Sequence, residues 1–139
     1  FVLVEPAEGL PAVDKEIYMV QSEYYTKPAK PLKKGHVQFA IERGDKMDPE
    51  YVVFNGAVGS MMKDKTVQLD INKRVRIFMG NAGPNLISSF HVIGQIFDNV
   101  YREGDLISAP AHNVQTTLVP PGGATMVEFQ VQVPGRYIM

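Results

Sequence analysis

The chain has 139 residues, no cysteine, three histidines, and 14 basic against 15 acidic side chains, for a formal charge of -1. That length suits one domain with a real core. The near-neutral balance, with no basic stripe interleaved with aromatics, argues against nucleic acid or an anionic membrane surface as a partner. Without cysteine there is no disulfide, no zinc-thiolate site and no blue-copper centre built by this chain alone, because that centre needs a thiolate beside two imidazoles.

No apolar run approaches the ~18 residues of a transmembrane helix, and no charged-then-apolar leader is present. Residues 1–13 contain Pro6, Gly9 and Pro11 with little periodicity and read as an extended linker. Lys15 to Tyr25 is rich in β-formers, with Tyr18 and Val20 on one face and Ile17 and Met19 on the other, so a strand buried between layers is expected. From Thr26 to Pro49, Lys27, Lys30, Lys33 and Lys34 alternate with Pro28 and Pro31. This basic loop reads as solvated, the alternative being a docking arm for an acidic redox partner. Val37 to Arg43 suggests a short helix.

Tyr51 to Phe54 is a short apolar strand closed by Asn55-Gly56, a pair that tolerates positive φ and marks a tight turn. Met61-Met62 could bind a soft metal, although adjacent methionines in a connection are more often packing filler. Thr66 to Ile71 alternates, and with Arg74 to Gly80 across Asn72-Lys73 it predicts a hairpin.

The stretch Asn81 to Gly94 organises the rest. A turn at Gly83-Pro84 feeds a β-favouring run closed by Gly94. Alternation places Ile87, Ser89, His91 and Ile93 on one face and Ser88, Phe90 and Val92 on the other. With Phe90 and Val92 inward, His91 stands on the non-core face beside Ile93. A histidine in a strand is ordinarily a hydrogen-bonded structural residue; set among small hydroxyls and an aliphatic, it is also a candidate acid/base or ligand group.

Gln95 to Tyr101 resumes a strand-like pattern. Asp98 is the one carboxylate near His91 in sequence, either orienting the imidazole or lying on the surface at a strand end. Glu103 to Ala111 is a turn-rich loop ending at His112, for which a bond to loop backbone is expected rather than metal ligation. His36, His91 and His112 are spaced too widely to form a His-x-His pair. Asn113 to Val119 and Ala124 to Val133 read as the last pair of strands, the second with Val127, Phe129, Val131 and Val133 inward and Glu128, Gln130 and Gln132 outward. Eight or nine short strands with Pro/Gly/Asn turns and hardly any helix predict an all-β fold, a Greek-key β-sandwich.

Three blocks in this order, Glu50-Tyr-Val-Val-Phe-Asn-Gly56, the segment through Phe90-His-Val-Ile-Gly94, and Asn113-Val-Gln-Thr-Thr-Leu-Val-Pro-Pro-Gly-Gly-Ala124, carry a resemblance. Together they are similar to the second cupredoxin domain of copper-containing nitrite reductases, over nearly the whole chain. The resemblance implies a cupredoxin-like sandwich at 14–139, preceded by an inter-domain linker at 1–13. It implies a homotrimer in which a type 1 copper in the first domain passes electrons to a type 2 copper at the interface with a neighbouring subunit's second domain. Nitrite bound there takes one electron and two protons and leaves as nitric oxide and water. A small electron-donor protein and a periplasmic or otherwise extracytoplasmic location are implied as well.

Matched residue by residue, the resemblance places the catalytic histidine at His91 and the isoleucine of the pocket wall at Ile93. In the family the strand after Pro-Gly-x-Tyr continues into a Val-Asp-His segment with a further copper ligand. Here Met139 is last, so the expectation is a domain incomplete at its C-terminus, with its copper ligands outside the sequence and no activity alone. The competing readings are a fragment of a two-domain multicopper oxidase, disfavoured by the missing His-x-His pairs, and a non-catalytic assembly or redox-docking module.

Overall fold

The computed structural model describes residues 2–28 and 35–139. Its strands are β1 (Lys15–Tyr24), β2 (Thr26–Pro28), β3 (Val37–Phe39), β4 (Tyr51–Phe54), β5 (Arg74–Asn81), β6 (Ser88–His91), β7 (Phe97–Arg102), β8 (Ala111–Val114), β9 (Thr116–Val119) and β10 (Ala124–Gln130). The one α-helix among the described residues, α1 (Ile41–Asp45), is a single turn with no buried residue. Six strands form one sheet in the order β4-β1-β5-β10-β7-β8; β2 pairs with β3, and β6 with β9. The β1–β5 pair is parallel and the other pairings are antiparallel.

The two-stranded β6–β9 sheet lies over the large one. Phe90 and Val119 from the small sheet, with Val92 just past β6, meet Ile17, Met19, Val75, Ile77, Met79, Val127 and Phe129 from the large sheet in one core. Burying side chains of this size contributes roughly 1.5–3 kcal/mol each, and the resulting two-layer β-sandwich is the all-β fold expected.

Four local expectations are corrected. Thr66 to Ile71 forms no strand and no hairpin with β5, because β1 and β10 occupy both edges of β5. The run Asn113 to Val119 is split between sheets, β8 pairing with β7 and β9 with β6, and neither pairs with β10. Val37 to Arg43 divides into β3 and the first part of α1. β1 is buried on its Ile17 and Met19 face, whereas Tyr18 on the other face is 47% exposed. The Asn55-Gly56 turn forms as expected, both residues having positive φ. Lys30, Lys33 and Lys34 of the basic loop lie outside the described residues, and Lys27 pairs with Glu42 at 2.6 Å.

The outer face of the large sheet holds a polar row. Register places Glu16, Arg76, Glu128, Asn99 and His112 side by side across β1, β5, β10, β7 and β8. The Arg76 guanidinium donates to Glu128 at 2.6 and 2.8 Å, to Glu16 at 2.9 Å and to the Pro11 carbonyl at 2.6 Å. Asn99 Nδ2 donates to Glu128 at 3.0 Å, and His112 Nδ1 donates to Asn99 Oδ1 at 2.9 Å. Burial alone would lower the Arg76 pKa, but the bonds to Glu128 and Glu16 outweigh it and raise the pKa. Glu128, expected to face outward into solvent, is only 3% exposed because this row satisfies its charge.

Candidate active site

His91 is the last residue of β6. Phe90 fixes the strand from below, its ring stacked on Phe97 at a centroid distance of 5.6 Å. Phe90 and Val92 are each 3% exposed, which turns the intervening histidine outward. Ser89 shares that outward face, Ile87 and Ile93 on either side of the strand are exposed, and β9 sets Leu118 opposite Ser89 and Thr116 opposite His91. Alternation therefore sets Ser89 and His91 outward along β6, whereas Ile93 lies past the strand end, in the turn that follows.

His91 Nδ1 lies 2.7 Å from the carbonyl oxygen of Gln115. A carbonyl only accepts, so Nδ1 carries the proton and Nε2 is the ring nitrogen left to accept or pass on another. Gln115 sits between β8 and β9, where the chain leaves the large sheet for the small one. It was not a candidate from the sequence, because its contribution is a main-chain oxygen that any residue would supply. Asp98, the candidate orienting carboxylate, instead pairs with Arg74 at 3.5 Å.

The turn ahead of β6 is held by buried polar groups. Glu23 Oε1 accepts from the Leu86 amide at 2.7 Å, and Glu23 Oε2 accepts from the Tyr25 hydroxyl. Burial, and then the bond to Glu23, push the Tyr25 pKa up, so its hydroxyl keeps its proton. Asn81 Nδ2 donates to the carbonyls of Leu86 at 2.8 Å and Val119 at 3.1 Å.

The other two histidines do not join His91. His112 bonds to the Asp98 carbonyl at 3.2 Å and to Asn99, so its backbone partner belongs to strand β7 and not to the loop as expected, and His36 is exposed on the approach to β3. Met61 packs against the core while Met62 is 63% exposed. Among the described residues no three histidine or carboxylate groups gather to hold a metal, and the sequence has no thiolate. The donor set of the described residues does not by itself fit a copper ion. No helix among the described residues is long and apolar enough to cross a membrane.

Comparison with known proteins agrees with the fold and narrows the family. The multicopper oxidase family profile matches residues 26–139. The copper-containing nitrite reductase of Neisseria gonorrhoeae is 51% identical over 138 residues, covering 99% of this chain and 34% of that protein. The chain thus spans about a third of the length of the curated relatives it matches. Among solved structures, a copper-containing nitrite reductase from Thermus scotoductus superposes with a TM-score of 0.76 at 28% identity, over 91% of this chain and 26% of that one. A multicopper oxidase superposes with a TM-score of 0.74 at 27% identity, over 97% of this chain and 41% of that one. The chain belongs to the multicopper oxidase family, and its similarity within that family is to the copper-containing nitrite reductases.

Proposed function

We propose that this chain is the second cupredoxin domain, residues 14–139 after a linker at 1–13, of a copper-dependent nitrite reductase that forms nitric oxide. The observation that carries the reading is the His91–Gln115 bond. It holds an imidazole outward with Nε2 free of that bond, at the strand end just before the exposed Ile93, in a chain half identical to nitrite reductases.

Copper, held by residues outside this chain, would supply the single electron. His91 would present one of the two protons, directly or through a held water, to an oxygen of nitrite, and with the second drawn from solvent that oxygen would depart as water. Ile93, 58% exposed beside it, would limit how the anion tilts. The face carrying both would close against the first domain of a neighbouring subunit in a homotrimer, with a small electron-donor protein as redox partner, outside the cytoplasmic membrane. The 139-residue chain alone would be inactive.

The test is copper analysis together with nitrite-dependent nitric oxide production on protein from its native source. Copper near two per subunit with turnover agrees with the reading, and intact protein without either contradicts it. The second reading, a non-catalytic assembly module, draws on the absence of a complete metal site among the described residues. A folded, metal-free trimer would favour it.

A further inference from the structure

We propose that Glu23 on β1 is a positioning residue for His91, acting with Asn81 as a two-sided clamp on Leu86. The inference rests on the functional reading above. It begins from a mechanical problem: β6 and β9 share four residue pairs, Ser88 with Val119 through His91 with Thr116, and form no ladder with the large sheet. A two-stranded ribbon is marginal alone, and a one-residue slip would turn His91 toward the core. Something must fix its register and height.

Leu86, two residues before β6, is held on both sides of its backbone. Its N–H donates to Glu23 Oε1 at 2.7 Å, and its carbonyl accepts from Asn81 Nδ2 at 2.8 Å. The same Asn81 amide reaches the carbonyl of Val119, the last residue of β9, at 3.1 Å, so one side chain ties both strands of the ribbon at the end away from His91. The Gly83 N–H donates to Asn81 Oδ1 at 3.0 Å, and the Asn85 N–H reaches Glu23 Oε1 at 3.4 Å. Asn81 and Glu23 are 2% and 9% exposed.

Glu23 is an unusual choice for this place. No basic side chain pairs with it among the described residues, and burying a lone carboxylate is costly unless donors surround it. The donors are present: the Leu86 and Asn85 amides and the Tyr25 hydroxyl, itself fixed by Asn85 Nδ2 at 2.9 Å. The fit also requires glycine at position 83, where a Cβ would stand 2.0 Å from Glu23 Oε1. A carboxylate spanning from β1 to the turn makes the large sheet the ruler for the histidine strand.

The test uses the full-length native protein carrying Glu23→Ala, Glu23→Gln and Gly83→Ala. The amide of Gln keeps one oxygen for the Leu86 N–H, Ala removes it, and the Gly83 methyl pushes the carboxylate off the turn. Expected, at a temperature where each variant is folded, is a kcat loss of ~10-fold or more for the two alanine variants, with KM little changed and substantial recovery in Glu23→Gln. Wild-type kcat in the alanine variants, with only the melting temperature lowered, would overturn the clamp. If Glu23→Ala does not fold, Gly83→Ala decides by the same readouts. A second readout needs no activity: crystals of Gly83→Ala or Glu23→Ala should show His91 Nδ1 out of hydrogen-bond reach of the Gln115 carbonyl, and an unchanged bond sinks the proposal. Wild-type protein without nitrite turnover would defeat the functional reading, and the crystal result would still decide the clamp.

Discussion

The Nδ1–H of His91 donates to the main-chain carbonyl of Gln115 across 2.7 Å. Because the acceptor belongs to the backbone, the tautomer of His91 depends on where the chain crosses from β8 to β9 and not on the side chain at position 115. Gln115→Ala should therefore leave nitrite turnover of the full-length protein within a factor of about two of wild type. A large loss in that variant, with the protein folded, would mean that the glutamine side chain itself takes part.

Ile93 separates function from stability. It is 58% exposed and absent from the core cluster, so Ile93→Ala should change unfolding free energy by no more than about 0.5 kcal/mol. A steric role against nitrite predicts that KM or kcat changes nonetheless. Chemical denaturation and steady-state kinetics on the same variant check both halves.

Arg76 and Glu128 make the opposite case. Both are buried, and removing one partner strands the other charge. Arg76→Met should cost about 3–5 kcal/mol, and adding Glu128→Leu should restore a large part of it, since a buried ion pair can be replaced by apolar packing more cheaply than it can be halved. A double-mutant cycle by denaturant unfolding measures this.

Asp14 supplies a pH signature. Its carboxylate accepts from the Arg74 amide at 2.8 Å and from Lys73 at 3.1 Å, and these bonds, the amide first, hold its pKa below the usual carboxylate value. A folded-state pKa below the unfolded one adds stability above the unfolded value, near pH ~4, and that stability is lost as pH falls through the folded value. The denaturation midpoints of wild type and Asp14→Asn should thus differ at pH 7 and converge in acid. A gap that widens in acid would reverse the sign argued here.

Much of this was legible in the sequence where side chains alternate. The period of two through Ile87 to Ile93 placed Phe90 and Val92 inward and His91 outward, because one buried face constrains every second residue. Partner strands were less legible. Thr66 to Ile71 and Asn113 to Val119 alternate well enough to suggest pairing with their sequence neighbours, but long-range ladders from β1, β6 and β10 take those places. Glu128 misled for a related reason, since charge signals solvent only until a buried arginine stands opposite it. The Gln115 carbonyl and the Glu23 clamp left no mark in sequence, because one is a backbone atom and the other depends on two segments meeting in space.

The most direct measurement of the central claim is nitrite turnover and copper content of the full-length protein before and after His91→Ala. If His91 supplies the proton, turnover should fall by roughly 10²-fold or more while copper is retained, a loss in keeping with removal of a general acid. Turnover close to wild type in a copper-loaded variant would contradict the account and leave His91 as a structural histidine bonded to Gln115.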